Sequence, residues 1–98
     1  MSERTVYIVA YDICDAKRLR MIYKTMRGYG EHWQYSVFRC ELTPAEKVKM
    51  MTDLGRIMND AEDQVLIAPL GPPNGRYAAA IETLGVPLPR TARTAYVF

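Results

Sequence analysis

Asp12 is the residue whose position in this sequence most needs a chemical explanation. It closes the apolar, β-branched and aromatic run Thr5-Val-Tyr-Ile-Val-Ala-Tyr-Asp12, and a basic segment starts a few residues later. Strand interiors rarely carry a carboxylate, so an acid at the carboxyl end of a buried strand is either a cap or a ligand. Asp15 already supplies a helix N-cap, which weakens the reading of Asp12 as a cap or turn residue. A carboxylate there suits Mg²⁺ in metal-dependent phosphodiester cleavage, a chemistry that normally draws on more than one acid. One chain offers Asp12 and, at the helix start, Asp15; a twofold dimer would bring a second Asp12. Arg18 and Arg20 follow closely and would neutralise the scissile phosphate. Ser36 and Phe38, on the adjacent strand, would position a phosphate or a base.

A second constellation is cationic. Lys17, Arg20, Lys24 and Arg27 recur at helical spacing and form one stripe opposite Leu19, Ile22 and Met26. Neighbouring like charges cost roughly 0.2–0.5 kcal/mol per pair on an exposed helix. A merely solvated face would interleave glutamates, whereas Ala16 to Gly30 holds five basic residues and no acid. From Glu41 to Asp63 the balance reverses, six acids against three bases, so the net charge of +2 hides an asymmetry that fits a polyanion on one side. Other chemistries find little support. No Ser-His-Asp or Cys-His arrangement is legible, no glycine-rich phosphate loop is present, and His32 beside Trp33 reads as a surface turn residue. Cys14 and Cys40 lack metal-type spacing and read as reduced, buried thiols.

These residues need elements to hold them. Thr5 to Asp12 is a strand with two apolar faces, hence central and covered twice. Asp15 to Gly28 is a helix that stops at Gly28-Tyr-Gly30. Trp33 to Leu42 is one long strand, or two if it bends near Ser36, with Tyr35 and Val37 on one face and Phe38 and Cys40 on the other. Thr43-Pro-Ala-Glu46 is a capping box that opens a helix to about Met58, with Val48, Met51, Leu54 and Met58 inward. Gln64 to Leu70 is a buried strand, Arg76 to Leu84 is a short helix or an edge strand, and Thr94 to Phe98 is a terminal strand. The order implies one α+β domain over residues 1–98, a ferredoxin-like βαββαβ sandwich with a C-terminal strand extension. Two helices cover only one sheet face, so the other would expose a large apolar patch. A homodimer packed sheet against sheet, with the tail crossing to the partner, would resolve that. Length and composition agree with a globular chain of one core. The apolar run is too short for a signal peptide or a membrane span, so a cytoplasmic protein without membrane association is expected.

Tyr11-Asp-Ile-Cys-Asp15, Arg18-Leu-Arg20, Gly28-Tyr-Gly30 and above all Gln34-Tyr-Ser-Val-Phe38 with Leu42-Thr43 resemble the small universal CRISPR adaptation protein. That family, the second member of an integrase–adaptor pair, is also described as a CRISPR-associated endoribonuclease. The likeness spans Val6 to Leu70, and the tail after Pro72 matches only loosely. It implies a ferredoxin-like homodimer in which Asp12 binds Mg²⁺ at the subunit interface, with Tyr11, Arg18, Arg20, Ser36 and Phe38 around the phosphate. It further implies a role in spacer acquisition with the CRISPR integrase, on single-stranded RNA or double-stranded DNA. One departure is His32, where the resemblance implies arginine. The leading expectation is a Mg²⁺-dependent endonuclease of endoribonuclease type in antiviral defence. A non-catalytic duplex-DNA adaptor is the alternative, followed by a toxin-type messenger-RNA nuclease and, distantly, a small-ligand domain.

Overall fold

A computed structural model describes residues 3–88 of the chain. Its elements run β1 (Thr5–Asp12), α1 (Ala16–Arg27), β2 (Gly30–Gln34), β3 (Val37–Leu42), α2 (Pro44–Ile57) and β4 (Gln64–Gly71), followed by a 3₁₀ turn over Tyr77–Ala80. The strands form one antiparallel sheet in the order β2-β3-β1-β4, the ferredoxin-like arrangement expected from the element order. β1 is central, with Tyr7 opposite Cys40 and Val9 opposite Phe38 on one side, and Asp12 opposite Gln64 on the other.

Local chemistry explains both helix starts. Asp15 is extended and its carboxylate accepts the Arg18 amide N–H at 2.9 Å, which satisfies an orphan donor of α1. At α2 the Thr43 hydroxyl accepts the Glu46 amide N–H, while the Glu46 carboxylate accepts that of Thr43 at 2.9 Å. Both halves of the capping box are therefore made, with Pro44 at the first helical position.

The core lies between the helices and one sheet face. Alternation along β1 and β3 sends Tyr7, Val9, Tyr11, Phe38, Cys40 and Leu42 to that face, against Ile22 and Met26 of α1 and Met50 and Leu54 of α2. Ile8, Ala10, Val37 and Arg39 alternate to the opposite face.

Several expectations are corrected. The segment from Trp33 to Leu42 takes the two-strand form, with the bend near Ser36 realised as a turn at Tyr35-Ser36, but the first strand begins earlier than expected, at Gly30. Gly28 caps α1, but Gly30 opens β2 because the chain there touches its neighbour. A Cβ on Gly30 would lie 2.3 Å from the Arg39 carbonyl oxygen and 2.6 Å from Cys40 Sγ. On α2, Met50 is fully buried while Val48 and Met51 are exposed. β4 is an edge strand, only partly covered, with Leu66 exposed. Cys14 is exposed; only Cys40 is buried, and burial pushes its thiol up to about 12. The open sheet face is not bare either. Arg39 lies there, its guanidinium donating to the Tyr77 hydroxyl at 2.8 Å and to Glu41 at 3.2 Å. Ile81, Thr83 and Leu88 line a cavity with Ile8, Trp33 and Val37. The expected strand over Thr94–Phe98 and its crossing to a partner lie outside the described residues.

Candidate nucleic-acid and metal site

Asp12 ends β1 as an exposed residue. Among the described residues its carboxylate makes no ion pair or side-chain hydrogen bond, so its oxygens are open to a ligand. Tyr11, one residue earlier, faces the core, and its amide N–H donates to the Ser36 carbonyl at 3.1 Å. That bond fastens the β2–β3 turn beside the end of β1 and brings Ser36 next to Tyr11 in space. Burial, with Tyr23 and Tyr35 nearby, holds the Tyr11 phenol above its ordinary range.

The segment after Asp12 is pinned by a residue distant in sequence, at the neighbouring end of β4. Asp63, just before β4, has a fully buried carboxylate that accepts the Cys14 amide N–H and the Asn59 amide N–H, each at 2.9 Å. Arg18 completes the cluster, Nε donating to Asp63 at 2.8 Å and Nη2 to Glu62 at 3.0 Å. The Arg18 guanidinium and the two amide donors hold the Asp63 carboxyl far below the usual carboxylate range. Arg18 is correspondingly raised by Asp63. The placement corrects the role expected for Arg18: its charge already answers two carboxylates, so it orders the loop rather than standing free for a phosphate.

The remaining cations stay available. Lys17, Arg20, Lys24 and Arg27 are all exposed along α1, and none makes an ion pair among the described residues. Arg27 lies over the Tyr23 ring at 5.9 Å. Phe38, expected to touch a base, is fully buried and serves as a floor. The His32 ring packs on it at 5.0 Å between centroids, and Tyr23 meets it edge-on at 5.7 Å.

The donor set can be tested against Mg²⁺. Among the described residues no three His, Cys, Asp or Glu side chains converge, so one chain does not build a closed cage. Mg²⁺ characteristically takes one or two carboxylates and fills its shell with water and substrate phosphate. An exposed, uncommitted Asp12 carboxylate fits one such position, and a second copy would supply the other.

Comparison with known proteins decides the family. The family model for CRISPR associated protein Cas2 matches residues 5–75. The chain belongs to the Cas2 family. A Rhodospirillum rubrum relative named CRISPR-associated endoribonuclease Cas2 1 is 43% identical over 79 residues, covering 81% of this chain and 76% of its own. A Geobacter sulfurreducens protein named CRISPR-associated endoribonuclease Cas2 is 48% identical over 67 residues, covering 68% and 70% respectively. The crystal structure of Streptococcus pyogenes Cas2 superposes with a TM-score of 0.72 at 35% identity, covering 82% of this chain and 99% of that one. The motifs read from Tyr11 to Thr43 thus resembled the family to which the chain belongs.

Within this Cas2 chain, sequence reasoning missed Asp63 as a structural partner. Its only signal was position, an acid between the Asn59-Asp-Ala-Glu turn and a strand, where an ordinary turn residue is equally expected. No helix among the described residues is long and apolar enough to cross a membrane.

Proposed function

We propose that this Cas2 chain is the subunit of a homodimeric, Mg²⁺-dependent endonuclease of endoribonuclease type, acting in spacer acquisition with the CRISPR integrase. The observation that carries the reading is the uncommitted Asp12 carboxylate at the end of a central strand, beside a helix on which Lys17, Arg20, Lys24 and Arg27 make no ion pair among the described residues. The names of the Rhodospirillum and Geobacter relatives support the endoribonuclease class. Asp12 from each subunit would hold the ion, which supplies Lewis-acid stabilisation of phosphate charge and a lowered pKa for bound water. The chain's own residues do the rest. Lys17, Arg20, Lys24 and Arg27 draw in and align the phosphodiester backbone, and Arg20 neutralises charge at the scissile phosphate. Arg18, through Asp63, holds the Ile13–Asp15 loop so that Asp12 keeps its place.

The decisive experiment compares wild type with Asp12→Ala on single-stranded RNA and on duplex DNA, with Mg²⁺ and with EDTA. Cleavage should require Mg²⁺ and fall to background in the variant, while sedimentation shows the dimer unchanged. Undiminished cleavage by the rigorously purified variant would refute the assignment.

A second reading, a non-catalytic duplex-DNA adaptor, is favoured by one observation: Arg18 is committed to Asp63 and Glu62, which leaves the acid end of the site poor in free cations. It expects wild type to bind duplex DNA without Mg²⁺-dependent cleavage, and Asp12→Ala to support spacer acquisition.

A further inference from the structure

Between α1 and the β2–β3 hairpin lies a cavity of about 450 Å³ lined by Tyr11, Leu19, Arg20, Tyr23, Lys24, His32 and Tyr35. Its wall is aromatic: His32 meets Tyr23 edge-on at 5.2 Å, and both rest on the buried Phe38. His32 Nε2 lies 3.3 Å from the Tyr35 carbonyl oxygen, which ties the wall to the turn. Tyr35 itself is 82% exposed at the tip of that turn. An exposed aromatic ring beside a cavity offers a face on which a planar group can stack and gain by burial. Arg20 and Lys24 stand at the cavity on successive turns of α1, and neither has a carboxylate partner among the described residues.

We infer that this cavity receives one unpaired nucleobase of a single-stranded nucleic acid, with Tyr35 as its stacking platform and Arg20 and Lys24 on the flanking phosphates. The charge selects the class of occupant, since a flat π-face flanked by phosphates complements an aromatic wall with a cationic rim. The geometry selects the unpaired form, because a base within a duplex has both faces covered by its neighbours and offers none to a tyrosine. The inference rests on the nucleic-acid reading above, and it names a contact there that does not involve Asp12.

The test measures binding in EDTA at fixed salt, so that cleavage plays no part. Fluorescence anisotropy compares a labelled single strand, an abasic strand of equal length and charge, and a duplex, with RNA and DNA arms run separately to identify the sugar. Wild type should hold the intact strand at least about fivefold more tightly than the abasic one. Tyr35→Ala should erase that preference and leave duplex affinity unchanged, and Tyr35→Phe should retain it. Circular dichroism confirms that both variants are folded, as expected for an exposed turn residue. Equal affinity of wild type for intact and abasic strands would overturn the inference, as would a preference that survives Tyr35→Ala. Cleavage assays fail or succeed independently, so loss of the nuclease reading would leave this result standing, and the reverse.

Discussion

At the scale of single residues, the contrast between Arg18 and Arg20 shows how neighbouring cations are given different tasks. Arg18 turns toward Asp63 and Glu62, while Arg20 turns outward to the cationic rim. The Arg18–Asp63 pair has a pH signature. Asp63 titrates lower in the folded chain than in the unfolded one, so its contribution to stability is complete above the unfolded value near 4 and erodes as pH falls below it. Urea unfolding at pH 5 and pH 3 should therefore show a smaller acid loss for Asp63→Asn than for wild type, although the variant is the less stable at pH 5. Asp12 was legible as a ligand candidate because an acid ending an apolar strand is unusual. Asp63 was not, because its three donors come from Cys14, Asn59 and Arg18, whose approach only the fold determines.

Elements were legible wherever local chemistry is self-contained. The capping box at Thr43 and the cap at Asp15 depend on contacts within one turn, and both form as read. Orientation was harder. The α2 pattern admits more than one inward face, and at about 100° per residue Val48 stands roughly 120° away from Leu54. Packing against α1 and β3 selects the face of Met50, Leu54 and Ile57 instead. Met50→Ala should then cost about 2–5 kcal/mol in chemical denaturation, whereas Met51→Ala should stay within about 0.5 kcal/mol. A larger loss for Met51→Ala than for Met50→Ala would return α2 to the face first expected. The edge position of β4 had a signal that was passed over: Pro69 has no N–H to give a second neighbour, so that strand belongs at a margin.

For the whole molecule, the uneven charge seen along the chain becomes a surface. α1 presents Lys17, Arg20, Lys24 and Arg27 together, while on α2 Lys49 pairs with Asp53 and Lys47 lies over the Tyr7 ring. Single-stranded binding should weaken with salt through counterion release. Removing Lys17, Lys24 and Arg27 together should reduce the slope of log affinity against log salt by roughly 2, from about 0.7 per phosphate contact. An unchanged slope would mean that the stripe is solvated surface only. Assembly was the least legible level. An apolar open face suggested a sheet-to-sheet dimer, yet the chain's own residues from Tyr77 onward already lie against part of that face, a long-range return that no local pattern encodes.

That return has a practical corollary. The family model's match stops at residue 75, but Arg39, in the middle of the sheet, finds its hydroxyl acceptor and an overlying ring 5.2 Å away in Tyr77. The end of that match and the end of the sheet's own packing therefore differ by a few positions. A fragment trimmed to the former would leave a guanidinium short of an acceptor inside the protein, so the shortest self-sufficient version must reach past Tyr77.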